Sequence, residues 1–305
     1  MLKIGTRGSP LALAQAELTR AALLAAHPAL ADPGIEILPI RTTGDKVQDR
    51  TLAAIGGKGL FTKEIEEALI DGRVDLAVHS MKDMPTFLPD GLMIGAMLER
   101  EDPRDALISP VADSIAALPK GAVVGTASLR RQAQLLLKRP DLTIQPLRGN
   151  VGTRLDKLAR GEAAATLLAL AGLKRLGKAG AATAILGLDE MLPAVAQGAI
   201  GIEVRAGDSR LRGLVAAIDH APTSIAVAAE RAMLAVLDGS CRTPIAGHAA
   251  INGAQLRLRG LVALPDGTES HLAEDTGNAT LDDAAALGRA LGERLKALAG
   301  PDFLA

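Results

Sequence analysis

Val74-Asp75-Leu76-Ala77-Val78-His79-Ser80-Met81-Lys82-Asp83-Met84-Pro85 is the stretch from which the chain is read. Val74 to Val78 is a short apolar run, the pattern of a strand covered on both faces. It predicts a strand over 74–78 that runs into a polar elbow. In open α/β sheets, ligands collect in the crevice outside the carboxyl ends of such strands. His79, Ser80, Lys82 and Asp83 all fall at that end. Pro85 then removes a backbone donor and fixes the chain direction. A carboxylate beside an ammonium suits work on a cation or a proton. A solvated loop whose Asp caps a turn explains the same residues, and at this level both readings stand.

Upstream, 2–6 reads as a first strand, followed by Arg7-Gly8-Ser9-Pro10. Ser9 as N-cap with Pro10 at the first helical position is a strong helix start. Arg7 and Ser9 beside a helix N-terminus suit an anion; a plain capped helix is the alternative. A second strand is predicted over 35–40. Gly56-Gly57-Lys58-Gly59-Leu60-Phe61 is glycine-rich but not a P-loop, because Gly59 stands where Ser or Thr must hold magnesium. It reads as a flexible lead into a helix over 62–70, ended by Gly72.

Downstream, 92–97 is a further strand, and the charged run Leu98 to Asp105 marks a domain crossing. The strand–helix rhythm then restarts. Strands are predicted over 122–126, 142–147 and 165–169, each followed by a segment carrying arginine. A second crossing falls at 192–198, and 199–204 reads as a strand returning to the first unit. Two crossings between two such units predict a hinged cleft. A third unit begins near Pro222, with a helix to Leu237, strands over 245–251, 256–264 and 271–274, and a last helix over 282–298.

Composition narrows the class. Across 305 residues the formal net charge is −1, which argues against a general nucleic-acid or membrane-surface binder. One cysteine precludes an internal disulfide and fits a reducing compartment. The first residues lack the apolar core of a signal peptide, and no run is long and apolar enough to span a bilayer. The expectation is a soluble, cytoplasmic protein, with a monomer as the default. Trp and Tyr are both absent.

Arg7, Arg130, Arg131, Arg148, Arg154 and Arg175 all sit at predicted strand ends or helix starts. Guanidinium groups grip carboxylates and phosphates in a bidentate fork. A near-neutral chain with arginines in phase with its strands is expected to bind a small polyanion; surface ion pairs are the plainer alternative. Cys241 lies in Gly239-Ser240-Cys241-Arg242-Thr243-Pro244, past a predicted helix end. Arg242 favours its thiolate while the helix terminus opposes it. His79, His220 and His248 lack metal-ligand spacing, so no metal site is expected.

Several segments together resemble the porphobilinogen deaminase (hydroxymethylbilane synthase) family. They are Thr6 to Leu13, Gly56 to Phe61, Val78 to Pro85, Glu101 to Asp105, Ser128-Leu129-Arg130-Arg131, Leu147 to Arg154, Ala171 to Leu176 and Gly239-Ser240-Cys241. They occur in the family's order and span nearly the whole chain. The resemblance implies an α/β protein of three domains, the first two like a hinged periplasmic-binding-protein pair and the third a small α+β domain. The boundaries expected are 1–98 with 199–217, 104–192, and 221–305.

The resemblance also implies an enzyme of tetrapyrrole (haem) biosynthesis. It would join four porphobilinogen molecules head to tail, release ammonia at each addition and yield hydroxymethylbilane. Cys241 would hold a dipyrromethane cofactor by a thioether, and Asp83 would be the catalytic carboxylate. Cofactor contacts would come from Ser80, Lys82, Ser128, Arg130, Arg131, Arg148 and Gly149. Substrate contacts would come from Arg7, Ser9, Lys58, Phe61, Arg154, Arg175 and Gln197. The arginines fit the acetates and propionates of a growing pyrrole chain. The chain departs from the family at Thr43 and Ala54, where basic residues are frequent, and at Ala164, where Asp is usual. A two-lobed solute-binding protein without chemistry and a transferase for phosphorylated substrates are the rival readings.

Overall fold

The computed structural model describes residues 1–46, 61–238, 243–301 and 303. The chain divides into two compact units, Met1–Glu101 with Gly198–Ser224, and Asp102–Gln197 with Ile225–Ala305.

The first unit is built on a five-stranded sheet. In chain order its elements are β1 (Leu2–Arg7), α1 (Pro10–Ala26), β2 (Ile35–Ile40), α2 (Lys63–Ile70), β3 (Leu76–Ser80) and β4 (Leu92–Met97). The second unit contributes β5 (Asp105–Ile108), β6 (Val123–Gly125), α3 (Leu129–Lys138), β7 (Thr143–Gln145), α4 (Val151–Ala159), β8 (Ala165–Ala169), α5 (Leu170–Arg175) and β9 (Ala184–Ile185). The chain then returns to the first unit with β10 (Ile200–Arg205) and α6 (Ser209–Ala216). It continues through α7 (Ala221–Val236), β11 (Ile245–Asn252), β12 (Gln255–Ala263), β13 (Ser270–Asn278) and α8 (Leu281–Ala299).

The two five-stranded sheets repeat one arrangement. The first runs β2-β1-β3-β10-β4 and the second β7-β6-β8-β5-β9. In each, the first three strands are parallel and the fourth is antiparallel to both its neighbours. Parallel neighbours need crossover helices, which cover the faces and make the strands apolar throughout. Ile4, Leu76, Val78 and Ile202 accordingly sit in one core with Ala16 and Leu23 of α1, all nearly inaccessible. Leu107, Val124 and Leu167 do the same in the second sheet. Both are mixed sheets with helices on their faces, the α/β class that the resemblance implied.

The third sheet, β11-β12-β13, is wholly antiparallel. Gly288 and Gly292 of α8 let that helix approach α7 closely. A Cβ on Gly288 would lie 2.2 Å from the carbonyl oxygen of Ala229, and one on Gly292 would lie 2.8 Å from Cβ of Val236.

The sequence misplaces some elements. The strand predicted over 74–78 is β3, two residues further along, so His79 and Ser80 belong to the strand and not to the elbow. The reason is β10, whose Ile200 and Gly201 pair with Ser80 and His79 and carry the ladder past the apolar run. The elbow proper is one tight turn, Met81–Asp83. Gly201 is needed beneath it, since a Cβ there would stand 2.1 Å from the Met81 sulfur. Strands β5 and β9 were not foreseen; β5 begins inside the charged run read as a crossing.

Candidate functional site

The predicted site residues that the structure describes gather mainly in two clusters, one in each unit. In the first unit the elbow after β3 and the start of α1 line a cavity of about 50 Å³. Ser9 caps α1 as the sequence predicts, its hydroxyl accepting from Ala12 N–H at 3.2 Å with Pro10 at the first helical position. Such a cap is worth about 1 kcal/mol. Arg7, at the end of β1, stacks its guanidinium over Phe61, 4.2 Å from the ring centroid. Arg7, Ser9, Phe61, Ser80 and Asp83 all line this cavity. Sequence reasoning named these five, and the structure brings them together.

Ser80 is locked by Gln15 of α1. The amide donates to the hydroxyl at 2.8 Å and its carbonyl accepts from it at 3.0 Å. Asp83 is exposed at the rim, and its carboxylate has no hydrogen-bond or ion-pair partner among the described residues. An unpaired carboxylate on a rigid turn suits a transient cation. Lys82, its neighbour, is half-buried.

His79, which also lines this cavity, belongs to a pair that the sequence does not announce. His79 Nε2 is 2.9 Å from Glu203 Oε2, with both side chains buried. Glu66 of α2 is buried nearby; burial raises its carboxyl above the usual range, and the negative charge of Glu203 adds to the rise. A signal existed in the sequence, since Glu203 interrupts the apolar run Ile200 to Val204.

In the second unit the centre is Asp105, the first residue of β5 and inaccessible to solvent. Arg130 Nη1 lies 2.7 Å from one carboxylate oxygen and Arg131 Nη2 lies 2.8 Å from the other. Gln197 donates its amide to Asp105 at 2.9 Å and to the Pro103 carbonyl at 2.7 Å. Arg130 also donates to the Leu192 carbonyl, and Arg131 to that of Leu167. Ser128 caps the helix that carries both arginines, accepting from Arg131 N–H at 3.4 Å.

Burial opposes ionisation of Asp105, but the two guanidinium groups win and hold its carboxyl well below the usual range. Arg130 is drawn below its ordinary value, first by burial and then by the like charge of Arg131, against the pull of Asp105. Two buried cations therefore share one buried anion. The Nε atoms of both arginines are buried without a hydrogen-bond partner among the described residues.

Of the remaining residues of the second unit, Arg148, Gly149 and Arg154 gather at the start of α4. Asn150 caps α4. Gly149, at φ +122°, occupies backbone space that a side chain would fill, since a Cβ would stand 2.8 Å from Thr153 Cβ. Arg154 Nε donates to the Gly149 carbonyl at 2.9 Å. Arg148 is half-buried, and its Nη1 has no partner among the described residues. Arg175 is the last residue of α5. Lys58, Ala54 and Cys241, with the rest of 47–60 and 239–242, lie outside the described residues. Of the departures, Thr43 turns both its N–H and its hydroxyl to Glu64, and Ala164 is engaged through its backbone, its N–H donating to the Val123 carbonyl at 2.8 Å and its carbonyl accepting from the Ser109 hydroxyl at 2.7 Å.

Among the described residues no group of three or more His, Cys, Asp or Glu is placed to hold a metal, and no helix is long and apolar enough to cross a membrane.

Known families and proteins resemble this chain along most of its length. Residues 2–213 match the domain described as "Porphobilinogen deaminase, dipyromethane cofactor binding domain", and residues 224–297 match "Porphobilinogen deaminase, C-terminal domain". A chloroplastic porphobilinogen deaminase of Oryza sativa subsp. japonica is 55% identical over 305 residues, covering 99% of this chain and 85% of the relative. A porphobilinogen deaminase of Nitrobacter hamburgensis is 58% identical over 300 residues, covering 98% of this chain and 94% of the relative. Among solved structures, a periplasmic substrate-binding protein of an ABC transporter from Coxiella burnetii covers 72% of this chain and 92% of its own, at 17% identity and a TM-score of 0.43. Two family domains that between them span nearly the whole sequence, and relatives more than half identical along it, place this chain in the porphobilinogen deaminase family.

Proposed function

We propose that this chain is a hydroxymethylbilane synthase whose two clusters divide the work, the arginines of the second unit holding carboxylates and Asp83 of the first steadying positive charge. It joins four porphobilinogen molecules head to tail and releases one ammonia at each addition. The observation that carries the reading is the buried pair Arg130 and Arg131, which share the single carboxylate of Asp105 and keep unpartnered Nε–H donors. An excess of buried positive charge calls for an anion. Pyrrole acetates and propionates supply one, and so the residues present fit dipyrromethane.

When bound through Cys241, dipyrromethane supplies the nucleophilic pyrrole carbon to which the first substrate is joined. Arg130, Arg131 and Arg148 would hold its carboxylates, and Ser128, Gly149, Ser80 and Lys82 would make its further contacts. Arg7, Ser9, Lys58, Phe61, Arg154, Arg175 and Gln197 would orient the incoming substrate. Loss of ammonia leaves an electron-poor, cationic pyrrole. Asp83 would lie by its N–H, lower the energy of that charge and accept a proton as coupling completes. We propose the domain limits 1–98 with 199–217, 104–192 and 221–305, and a cytoplasmic monomer.

The solute-binding rival has no use for bond-making, which sets the test. Purified protein incubated with porphobilinogen is expected to release ammonia in one-to-one ratio with substrate consumed, and to form a linear tetrapyrrole. Binding of porphobilinogen without ammonia release would overturn the reading.

A further inference from the structure

Glu230 of α7 is inaccessible to solvent and has no place in the reaction as described. Its carboxylate accepts from the backbone N–H of Ala196 at 2.5 Å and from that of Ala249, in β11, at 2.7 Å. Ala196 is itself unusual. Its φ is +59°, a left-handed conformation that a residue with a Cβ adopts only when its surroundings hold it there. The next residue, Gln197, is the one whose amide donates to Asp105.

Ala196 belongs to a strap, 192–197, that touches Arg130 at one end and the carboxylate of Asp105 at the other. At one end the Leu192 carbonyl accepts from Arg130, and Gln134 brackets Leu192 by accepting from its N–H at 2.8 Å and donating to its carbonyl at 3.0 Å. At the other end Gln197 reaches Asp105. Between them the Pro193 carbonyl accepts from Gly247 of β11. Helix α7 ends at Val236 and β11 starts at Ile245, so the elements that Glu230 joins are the two flanking Cys241 in the sequence.

We propose that Glu230 is a positioning residue for the arginine pair. By holding Ala196 left-handed it turns the Gln197 amide onto Asp105, and the Asp105 carboxylate in turn aims Arg130 and Arg131. The inference rests on the reading of that pair as the grip on the dipyrromethane carboxylates. A residue that merely filled the core would support the fold equally with and without the cofactor. Glu230 is expected to support the loaded form selectively.

The test compares thermal midpoints of loaded protein and of protein made in cells unable to form porphobilinogen. A ligand bound only to the native state raises the midpoint, so the parent shows a gap between its two forms. In Glu230→Gln one of the two acceptor oxygens becomes a donor facing an N–H. Both midpoints are expected to fall, and the gap to shrink to less than about half of the parent's. Turnover per loaded chain should fall about tenfold or more, because a small misplacement of reacting groups is costly. Adding Ala196→Gly, which adopts the left-handed turn unaided, should reopen the gap and recover most of the turnover.

A Glu230→Gln gap equal to the parent's, or no recovery with Ala196→Gly, would overturn the proposal. If Glu230→Gln does not fold, Gln197→Leu cuts the same strap at its far end and must also narrow the gap. The reading beneath the proposal fails separately: Arg131→Leu would then keep the parent's gap and turnover, and both ideas fall together.

Discussion

Asp83→Asn is expected to lower kcat by about 10²–10³-fold, the cost of removing one preorganised group from a developing charge. The fold should hardly notice. Asp83 is exposed and makes no hydrogen bond or ion pair among the described residues, so its stability change should stay within about 0.5 kcal/mol. KM for porphobilinogen should move little, because the carboxylate acts on a charge that appears only after ammonia departs. Steady-state kinetics beside a urea titration would check both halves. Near-parental turnover in a folded Asp83→Asn protein would remove Asp83 from the mechanism.

The second large effect is on stability. Asp105→Asn would leave Arg130 and Arg131 buried without a counter-charge. Breaking a buried pair from one side costs about 3–5 kcal/mol, and here two cations are stranded by one change. The pH dependence follows from the depressed carboxyl. In the unfolded chain an Asp titrates near about 3.9, while in the fold the arginines hold it below that. Its contribution is therefore complete above about pH 4 and is lost as the pH falls from there toward the folded value. The stability difference between parent and Asp105→Asn, taken from urea midpoints, should be constant from pH 8 to about pH 5 and narrow below about pH 4. A difference under about 1 kcal/mol at neutral pH would mean that the cluster is not the buried ion pair described here.

Much of this was legible in the residues, and the exceptions share a cause. Local signals decided local structure: Ser9-Pro10 opens α1, and Ser128 and Asn150 cap their helices. Periodicity found all three strands of the last sheet, although β13 runs four residues past its predicted end. What local reading could not supply was pairing across distance. Asp105 lies in a run of charges that reads locally as a domain crossing; only its neighbours Arg130, Arg131 and Gln197, remote in sequence, make it the buried centre of the second unit. His79 was placed on the elbow because its partner Glu203 is 124 residues away. Glu230 carries no motif at all, and its role depends on a strained turn that no propensity announces. Arginine phase with the strands was visible, but which arginines would be spent on an internal carboxylate was not.

The central claim is that a primer fixed by sulfur is held by arginines while Asp83 works on the incoming pyrrole. Its most direct test is the intact mass of protein purified from cells that make porphobilinogen. The account predicts that the parent exceeds its sequence mass by two linked pyrroles, and that Cys241→Ala has its bare mass and no turnover. An active parent at its bare sequence mass, or a Cys241→Ala protein that keeps the extra mass, would contradict it.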